Sequence, residues 1–317
     1  MSGSAGGPED VVPTAVGRVA AVVVNFESGT ALTECLRTLV SESPAEVVVV
    51  DNGSSDGSVA QVPRDFPAVE VVVPGRNLGY GAAANRGAAA TTSELILVCN
   101  SDLSVHPGAL AALVAVLDQQ PDVAVTGPLI RTPSGDRYPS ARRFPSMIDA
   151  GGHALFGLFV PNNRFTRNYQ RSDMATANGT PQRVDWLSGA CFLVRRSAFE
   201  SVGGFDEAYF MYAEDADLCW RLAGAGWGAT YVPTAEVLHV QGVSTDHYPY
   251  RMIVEHHRSL LRFAWRSTAG WRRLLLPLVT VGVGVRAVLA CFRRLSTRWP
   301  ALAPIDQARS TRSASRQ

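Results

Sequence analysis

The chain has 317 residues, of which 46% are apolar and 18% charged, enough to bury one large or two modest domains. The net charge is +1 and all 29 basic residues are arginine, a balance that gives no indication of nucleic-acid binding. The five cysteines form no Cys-x-x-Cys pair, which argues against a zinc knuckle or a disulfide framework and fits a reducing compartment.

The first hundred residues alternate apolar runs with helical periodicity. Residues 1–17 are rich in Gly, Ser and Pro and are predicted to be a disordered leader. The predicted buried strands are residues 19–24, 46–50, 69–73 and 95–99. Helices are predicted at residues 30–41 and 82–90, and the small residues of the second would let it pack close to the sheet. This β-α-β order predicts a parallel sheet, since such crossovers are right-handed.

The predicted elements become shorter and more scattered after residue 106. They are a helix at 107–119, strands at 123–126 and 186–194, a short helix at 197–202, a helix beginning at Glu214, and strands at 231–232 and 236–240. Between them, residues 131–183 show no clear period and are interpreted as long loops around a substrate cleft. The fold class is therefore α/β with a mostly parallel sheet flanked by helices.

The C-terminal region is basic and apolar. Residues 251–298 contain ten arginines and a single acid, and residues 274–292 form a 19-residue apolar stretch. Arg286 inside that stretch makes insertion into a bilayer costly, so residues 263–300 are interpreted as a basic amphipathic helical region on an anionic membrane surface. The alternative is a helical subdomain packed on the body. Residues 301–317 are predicted to be a disordered tail.

Polar side chains follow three of the predicted strands where each strand ends. Asn25 and Glu27 follow the first, Asp51 the second, and Asn100 and Asp102 the fourth. If those strands are neighbours, the side chains meet in one crevice, where open α/β sheets bind ligands. Asp51 could accept from the N3–H of uracil or thymine, Asn100 could meet the ribose, and Asp102 could hold a divalent metal against a diphosphate. The alternative for Asn100 and Asp102 is a capped turn.

The phosphate-binding motifs of other nucleotide-binding folds are missing from the sequence. It contains no G-x-x-x-x-G-K-[ST], and no G-x-G-x-x-G follows the first predicted strand. The segment from Asn77 to Asn85 is instead predicted to close the edge of the crevice.

A second acidic group opens the helix at Glu214. Glu214 or Asp215 could face a cleft and remove a proton from an acceptor hydroxyl, whereas Asp217 is interpreted as a capping residue on a solvated face. His239, on a predicted strand, is a candidate second metal ligand, and the alternative is a structural histidine.

Five short sequence motifs follow one another along the chain between residues 22 and 221. They are V-V-V-N-F at 22–26, V-D-N-G-S-S-D-G-S at 50–58, N-L-G-Y-G at 77–81, N-S-D at 100–102, and G-F-D-E through Y-A-E-D-A-D-L-C-W-R at 204–221. In these motifs the chain resembles the family 2 inverting glycosyltransferases with a GT-A fold. It is most similar to the rhamnosyltransferase branch that acts on lipid-linked acceptors in cell-envelope assembly. The resemblance covers about residues 18–262, which are predicted to form the catalytic domain.

The resemblance implies a donor site and a metal site. The residues implied to bind the nucleotide sugar are Asn25, Glu27, Asp51, Asn77, Asn85, Asn100 and Asp102, with Asp51 on the base. Asn100-Ser101-Asp102 stands where the family has its D-x-D metal motif, so Asp102 is the only carboxylate from that motif. His239 matches the late family histidine that completes a Mg²⁺ or Mn²⁺ site.

The resemblance also implies the reaction. Asp215 would be the catalytic base, and Trp186 and Glu214 would hold the acceptor. The expected enzyme moves L-rhamnose from dTDP-rhamnose onto a lipid-linked glycan such as polyprenyl-diphosphate GlcNAc, peripherally at the cytoplasmic face of the plasma membrane. The alternatives are a transferase using UDP-galactofuranose or UDP-glucose, a non-catalytic nucleotide-sugar-binding scaffold, or a nucleotidyltransferase. The sequence leaves the oligomeric state open.

Overall fold

A computed structural model describes residues 15–144, 179–240 and 249–298 of the chain. Most of the predicted leader lies outside these residues, since only its residues 15–17 are described. The predicted tail and much of the predicted loop region at 131–183 also lie outside them. The strands are β1 (Val19–Asn25), β2 (Glu46–Asp51), β3 (Glu70–Val72), β4 (Leu95–Asn100), β5 (Leu103–Val105), β6 (Val123–Arg131), β7 (Arg137–Tyr138), β8 (Ala141–Arg142), β9 (Gln182–Val184), β10 (Trp186–Leu187), β11 (Cys191–Arg195) and β12 (Gly228–His239). The α-helices are α1 (Ala31–Ser41), α2 (Val62–Asp65), α3 (Tyr80–Ala89), α4 (Ala109–Gln119), α5 (Arg196–Ser201), α6 (Glu214–Gly224), α7 (Pro249–Ser267) and α8 (Leu276–Arg298). Short 3₁₀ helices cover Ala15–Arg18 and Gly270–Leu275.

The central sheet has a parallel half and a mixed half. Its strand order is β3-β2-β1-β4-β11-β6-β12-β5, and β7 and β9 pair at its margins. The first four strands are parallel, as their apolar runs predicted. Strand β11 is antiparallel to both of its neighbours, and β12 is parallel to β6 but antiparallel to β5. The sheet is therefore mixed. The α/β class is confirmed, but more strand pairs are antiparallel than the sequence predicted.

Two predicted strands have different bounds in the structure. The strand predicted at 186–194 is two strands, because Ser188 and Gly189 turn the chain between β10 and β11. The two short strands predicted after residue 230 are one strand, β12, with a register shift between Val232 and Glu236. Pro233 lies in that shift and has no N–H to give to the ladder.

Helices cover both faces of the sheet. Buried residues of α1 and α4 form one apolar core with the strands, and those of α3, α5 and α6 form a second core on the opposite face. Helix α3 approaches very closely, since a Cβ atom on Gly87 would lie 2.2 Å from Cγ1 of Val22. The small residues of α3 therefore allow the close packing that the sequence predicted.

The C-terminal helices differ in how they contact the body. Helix α7 packs on α6 through Phe263, which is 7% exposed and clusters with Tyr209 and Ala216. The predicted boundary at residues 262/263 therefore falls inside a docked helix. Helix α8 packs on α7, and Trp265 Nε1 donates to Thr280 Oγ1 at 3.3 Å.

One side of the last helical region is apolar and exposed. Among the residues that the structure describes, Gly270–Phe292 is the one helical segment long and apolar enough to cross a membrane, and 11% of its most apolar window is buried. Seven of its exposed apolar residues, here called the α8 stripe, recur every three or four positions: Trp271, Leu274, Leu278, Val281, Val285, Val288 and Phe292. Arg286 lies near His256 of α7, whose pKa is lowered to about 4 by burial, by His257 and by the Arg286 charge. The arginine that interrupts the apolar stretch therefore lies towards α7.

Candidate active site

The polar strand ends predicted to meet do lie side by side. Asn25 pairs in register with Asp51, and Val24 pairs with Asn100 on the other side. A cavity of about 840 Å³ opens over this edge. The predicted residues that line it are Glu27, Asn77, Asn100, Asp102, Trp186, Glu214, Asp215 and His239.

Asn25 and Asp51 lie beneath the cavity and are not among the residues that line it. Asn25 is fully buried, and its Nδ2 donates to Oδ1 of Asp51 at 3.1 Å and to Oγ of Ser58 at 3.0 Å. Glu27 is held from the other side, because its Oε1 accepts from the backbone N–H of Ser55 at 2.9 Å. These bonds fix the loops that follow β1 and β2 relative to each other.

Asn52 and Asn77 join the second strand end to the start of α3. Asn52 Nδ2 donates to Asn77 Oδ1 at 3.0 Å, and Asn52 Oδ1 accepts from the N–H of Leu78 at 2.7 Å. Gly79 follows with φ of 88°, and a Cβ atom there would lie 2.2 Å from the carbonyl oxygen of Phe210. Only glycine fits this close approach, which ties the start of α3 to the loop before α6. Asn52 was not predicted, although it belongs to the D-N-G-S motif.

The structure does not bring Asn85 to the cavity. Its Nδ2 donates to the carbonyl oxygen of Phe205 at 2.9 Å, and its Oδ1 accepts from the N–H of the same residue at 2.9 Å. Both ends of the amide are thus used to fix the turn that leads to α6. The geometry gives no support to the predicted contact of Asn85 with a nucleotide sugar.

Asp102 and His239 meet at one corner of the cavity. Strand β5 pairs with β12 so that Leu103 lies opposite His239, and Asp102 Oδ1 comes within 3.1 Å of His239 Nε2. Asn100 Nδ2 lies 3.2 Å from the same nitrogen, and the ring of Tyr138 stands edge-on to the imidazole at 5.8 Å between centroids. The pairing of β5 with β12 therefore brings together Asp102 and His239, which are far apart in the sequence.

This corner fits a divalent cation in its donor set. A carboxylate oxygen and an imidazole nitrogen lie together on the cavity wall, and the remaining ligands can come from a diphosphate and water. Among the described residues no group of three or more His, Cys, Asp and Glu side chains stands close enough to hold a metal. A bound ion would therefore depend on its substrate for ligands.

Glu214 and Asp215 also line the cavity, from the first turn of α6. Asp215 Oδ2 accepts from the N–H of Gly189 at 2.8 Å, and its Oδ1 accepts from the N–H of Ala216 at 2.8 Å. Burial raises the pKa of Asp215, while these two N–H groups and the charge of Arg142 act against the rise. Glu214 is 6% exposed with Oε2 unpartnered, and burial followed by the nearby Asp215 charge raises its pKa. Asp215 is thus the carboxylate better equipped to carry negative charge.

The backbone before this pair is strained. Tyr212 has φ of 70° and Ala213 has φ of 61°, two consecutive left-handed residues that are not glycine. Such conformations cost about 1–3 kcal/mol each and persist where the surroundings enforce them. Here the strain places Glu214 and Asp215 at the cavity wall.

Asp217 does not face solvent, and the prediction of a solvated face was wrong. It is fully buried, with Oδ2 at 2.7 Å from Arg221 Nε and Oδ1 at 3.3 Å from Arg266 Nε. Arg266 also contacts Asp206, to which Arg262 donates at 2.9 Å. The five residues, here called the ion cluster, connect α7 to α6. The burial comes from α7, which the sequence did not place over α6.

Trp186 lines the same cavity from β10. Its Nε1 donates to the carbonyl oxygen of Arg143 at 3.2 Å, and the guanidinium carbon of Arg142 lies 5.2 Å from its ring centroid. Several other lining residues were not predicted: Tyr80, Tyr138, Arg142, Arg251 and His256. Tyr80 stands in the N-L-G-Y-G motif and could have been found there, whereas the others lie in segments without a recognisable pattern.

Comparison with known proteins matches this architecture to glycosyltransferases. The family model described as Glycosyl transferase family 2 matches residues 20–203. The N-acetylglucosaminyl-diphospho-decaprenol L-rhamnosyltransferase of Mycobacterium tuberculosis is 41% identical over 265 residues, covering 80% of this chain and 85% of the relative.

Solved structures share the fold at low identity. A mannosyltransferase from Pyrobaculum calidifontis in complex with GDP-Man and Mn²⁺ is 17% identical, with a TM-score of 0.55 over 93% of this chain and 80% of that one. GalNAc-T7 with UDP, GalNAc and Mn²⁺ is also 17% identical, with a TM-score of 0.54 over 70% of this chain and 43% of that one. These similarities confirm the GT-A type of fold.

Proposed function

The chain belongs to glycosyltransferase family 2, and from that premise we propose that it transfers L-rhamnose from dTDP-rhamnose, with inversion, to GlcNAc carried on a polyprenyl diphosphate. The observation that carries the proposal is that one cavity is lined both by a candidate metal corner and by a candidate base. The 41% sequence identity to the mycobacterial rhamnosyltransferase extends over most of both chains, and it supports the assignment of the sugar and of the acceptor class.

The donor occupies the half of the cavity over β1, β2 and β4. Asn52 and Asn77 line this half, and Asn25 fixes the Asp51 carboxylate and the adjoining loop below it. We assign base recognition to Asp51, which adjoins the lining residues Asn52 and Gly53, since a carboxylate can accept from the N3–H of thymine. We assign ribose contact to Asn100, which lines the cavity. Glu27 shapes the loop after β1 and borders the nucleotide.

Asp102 and His239 would hold Mg²⁺ or Mn²⁺. A divalent ion supplies charge neutralisation for the diphosphate as it departs. The chain's own part is to fix the two ligands, which the pairing of β5 with β12 does before any substrate binds.

Asp215 acts as the general base. It removes the proton from the acceptor hydroxyl, which then attacks the anomeric carbon from the face opposite the diphosphate. The N–H groups of Gly189 and Ala216 hold the carboxylate in place for this step. Glu214, with its raised pKa, can remain protonated near neutral pH and donate to the acceptor, and Trp186 offers an apolar face to its sugar ring.

The C-terminal helices hold the enzyme at the cytoplasmic membrane surface. The α8 stripe exposes large apolar side chains, and arginines are frequent around it, a combination suited to an anionic lipid surface. Since α7 docks on α6, we place the end of the catalytic unit at Ser267 rather than at residue 262, and assign membrane contact to the residues after it.

A panel of donors tests the proposal. Protein is mixed with Mn²⁺ or Mg²⁺ and dTDP-rhamnose, UDP-galactofuranose or UDP-glucose, and the unfolding midpoint and transfer to GlcNAc-diphosphate-polyprenol are measured. The donor that binds the folded state raises the midpoint. We expect stabilisation and transfer with dTDP-rhamnose. Transfer from a UDP sugar alone would reassign the donor, and binding without transfer from any donor would make the chain a scaffold.

A further inference from the structure

Arg142 places a positive charge beside the candidate base. It lies at the end of β8, where it pairs with Trp186 of β10. Its Nε donates to the carbonyl oxygen of Pro139 at 2.9 Å, and the guanidinium lies over the Trp186 ring and lines the cavity. The guanidinium of Arg142 is therefore held near the candidate base. Its positive charge lowers the pKa of Asp215, which makes that carboxylate a weaker base.

The geometry of the reaction decides which anion such a cation can serve. In a direct displacement, the attacking hydroxyl and the leaving diphosphate lie on opposite faces of the anomeric carbon. A cation next to the base is therefore on the side of the acceptor, away from the leaving group. Arg251, a second arginine among the described lining residues, lies over the Phe210 ring at 4.2 Å, and the Phe210 carbonyl oxygen accepts from the N–H of Tyr80 at the start of α3.

The wall next to Arg142 is apolar. Phe263 packs in one cluster with Trp186 and with Ala216, the residue that follows the candidate base. Met211, Met252 and Leu260 continue the lining towards α7. An acceptor bound here would meet a cation first and an apolar surface next, the order in which a lipid diphosphate presents its phosphates and its chain.

We propose that Arg142 is the binding residue for the phosphates that link the acceptor sugar to its lipid, and that the apolar wall beside it receives the first part of the lipid. This rests on the proposed function, because it assumes a diphosphate-linked acceptor. Arginine can make two parallel hydrogen bonds to a phosphate. Arg142 thereby selects acceptors by their charge, and a neutral glycoside lacks the group that it binds.

Paired acceptors and paired variants test the subsite. The acceptors are GlcNAc-diphosphate-farnesyl and a farnesyl glycoside of GlcNAc without phosphate. Arg142→Gln should raise the KM for the diphosphate acceptor about tenfold or more. The loss of a hydrogen bond to a charged group weakens binding by about that factor. The KM for the donor and for the neutral acceptor should not change. Arg143→Gln is the matched control, because Arg143 is the exposed neighbour and the hydrogen bond from Trp186 goes to its backbone carbonyl, which the substitution keeps.

Binding of farnesyl diphosphate in EDTA reads the subsite without turnover. The wild type and Arg143→Gln should bind it at least about tenfold more tightly than Arg142→Gln, with equal unfolding midpoints showing that all are folded. Equal binding by all three proteins, or a KM that rises equally for both acceptors, would overturn the proposal. Failure of the wild type to transfer from any donor while this binding difference persists would instead count against the proposed function alone.

Discussion

The backbone N–H of Gly189 donates to Oδ2 of Asp215 at 2.8 Å, so the turn between β10 and β11 fixes a carboxylate at the start of α6. A base needs such fixing because proton removal depends on its distance and direction from the hydroxyl. The same bond limits how far burial can raise the pKa of Asp215.

Replacing Asp215 by Asn should abolish transfer and spare donor binding. The amide has nearly the same size but cannot take a proton, so kcat should fall by about 10²–10⁴-fold. Calorimetry should give a dissociation constant for dTDP-rhamnose close to that of the wild type. Asp136→Asn, in an exposed turn, is the control and should keep full activity. Loss of donor binding in Asp215→Asn would argue against its role as the base.

His239→Ala should raise the metal requirement. Removing the imidazole leaves Asp102 as the single protein ligand at that corner, so half-maximal activity should need about tenfold more Mn²⁺ or beyond. Titration of activity against Mn²⁺, and direct Mn²⁺ binding in the presence of dTDP, measure the change. His106→Ala is a suitable control, because His106 is half exposed and pairs with Glu236 at 3.6 Å. An unchanged titration curve would remove His239 from the metal site.

Asp217→Asn should destabilise the protein by about 3 kcal/mol or more. Asp217 is fully buried between Arg221 and Arg266, and removing one partner of a buried ion pair leaves uncompensated charge. Urea unfolding monitored by circular dichroism measures the loss. Asp122→Asn breaks an exposed pair with Arg183, which solvent screens, and should leave the free energy of unfolding close to that of the wild type. Similar losses in the two variants would mean that the ion cluster is not important for stability.

Glu214 should make stability fall as pH rises. Its pKa in the folded state is raised above its ordinary value of 4.5, so between those two pKa values the folded protein binds more protons than the unfolded chain. The free energy of unfolding therefore decreases with pH across that window, and Glu214→Gln should remove the decrease. When urea midpoints are measured from pH 5 to pH 8, the midpoint of Glu214→Gln should rise relative to that of the wild type as pH rises. Glu200→Gln, an exposed helical acid, should run parallel to the wild type.

The α8 stripe should control membrane binding. Replacing Leu278, Val281 and Val285 by Ser removes exposed apolar surface from one side of α8, so partition to anionic phospholipid vesicles should weaken about tenfold or more. Sedimentation with vesicles of phosphatidylglycerol and phosphatidylcholine measures it. Val73→Ser alters an exposed valine on the body, 60% exposed, and should bind vesicles as the wild type does. Equal binding by the triple variant would place the membrane contact elsewhere.

Local patterns sufficed for the parallel half of the sheet and failed where partners come from far along the chain. Strands β1, β2 and β4 are apolar on both faces, so their sequence runs are continuous and easily recognised. The antiparallel sense of β11 depends on the path of the chain before it and leaves no periodic signal. Asp217 and Arg142 were misjudged or missed for the same reason, since one owes its burial to α7 and the other its position to the pairing of β8 with β10.

The ion cluster has a practical consequence for anyone preparing a water-soluble form of the enzyme. Shortening the chain after residue 262, where the family resemblance ends, would delete Phe263 and Arg266 and expose the buried carboxylate of Asp217 on α6. A cut after Ser267 removes α8 and its apolar surface while retaining both residues. Five residues thus separate a cut through the catalytic unit from one that spares it.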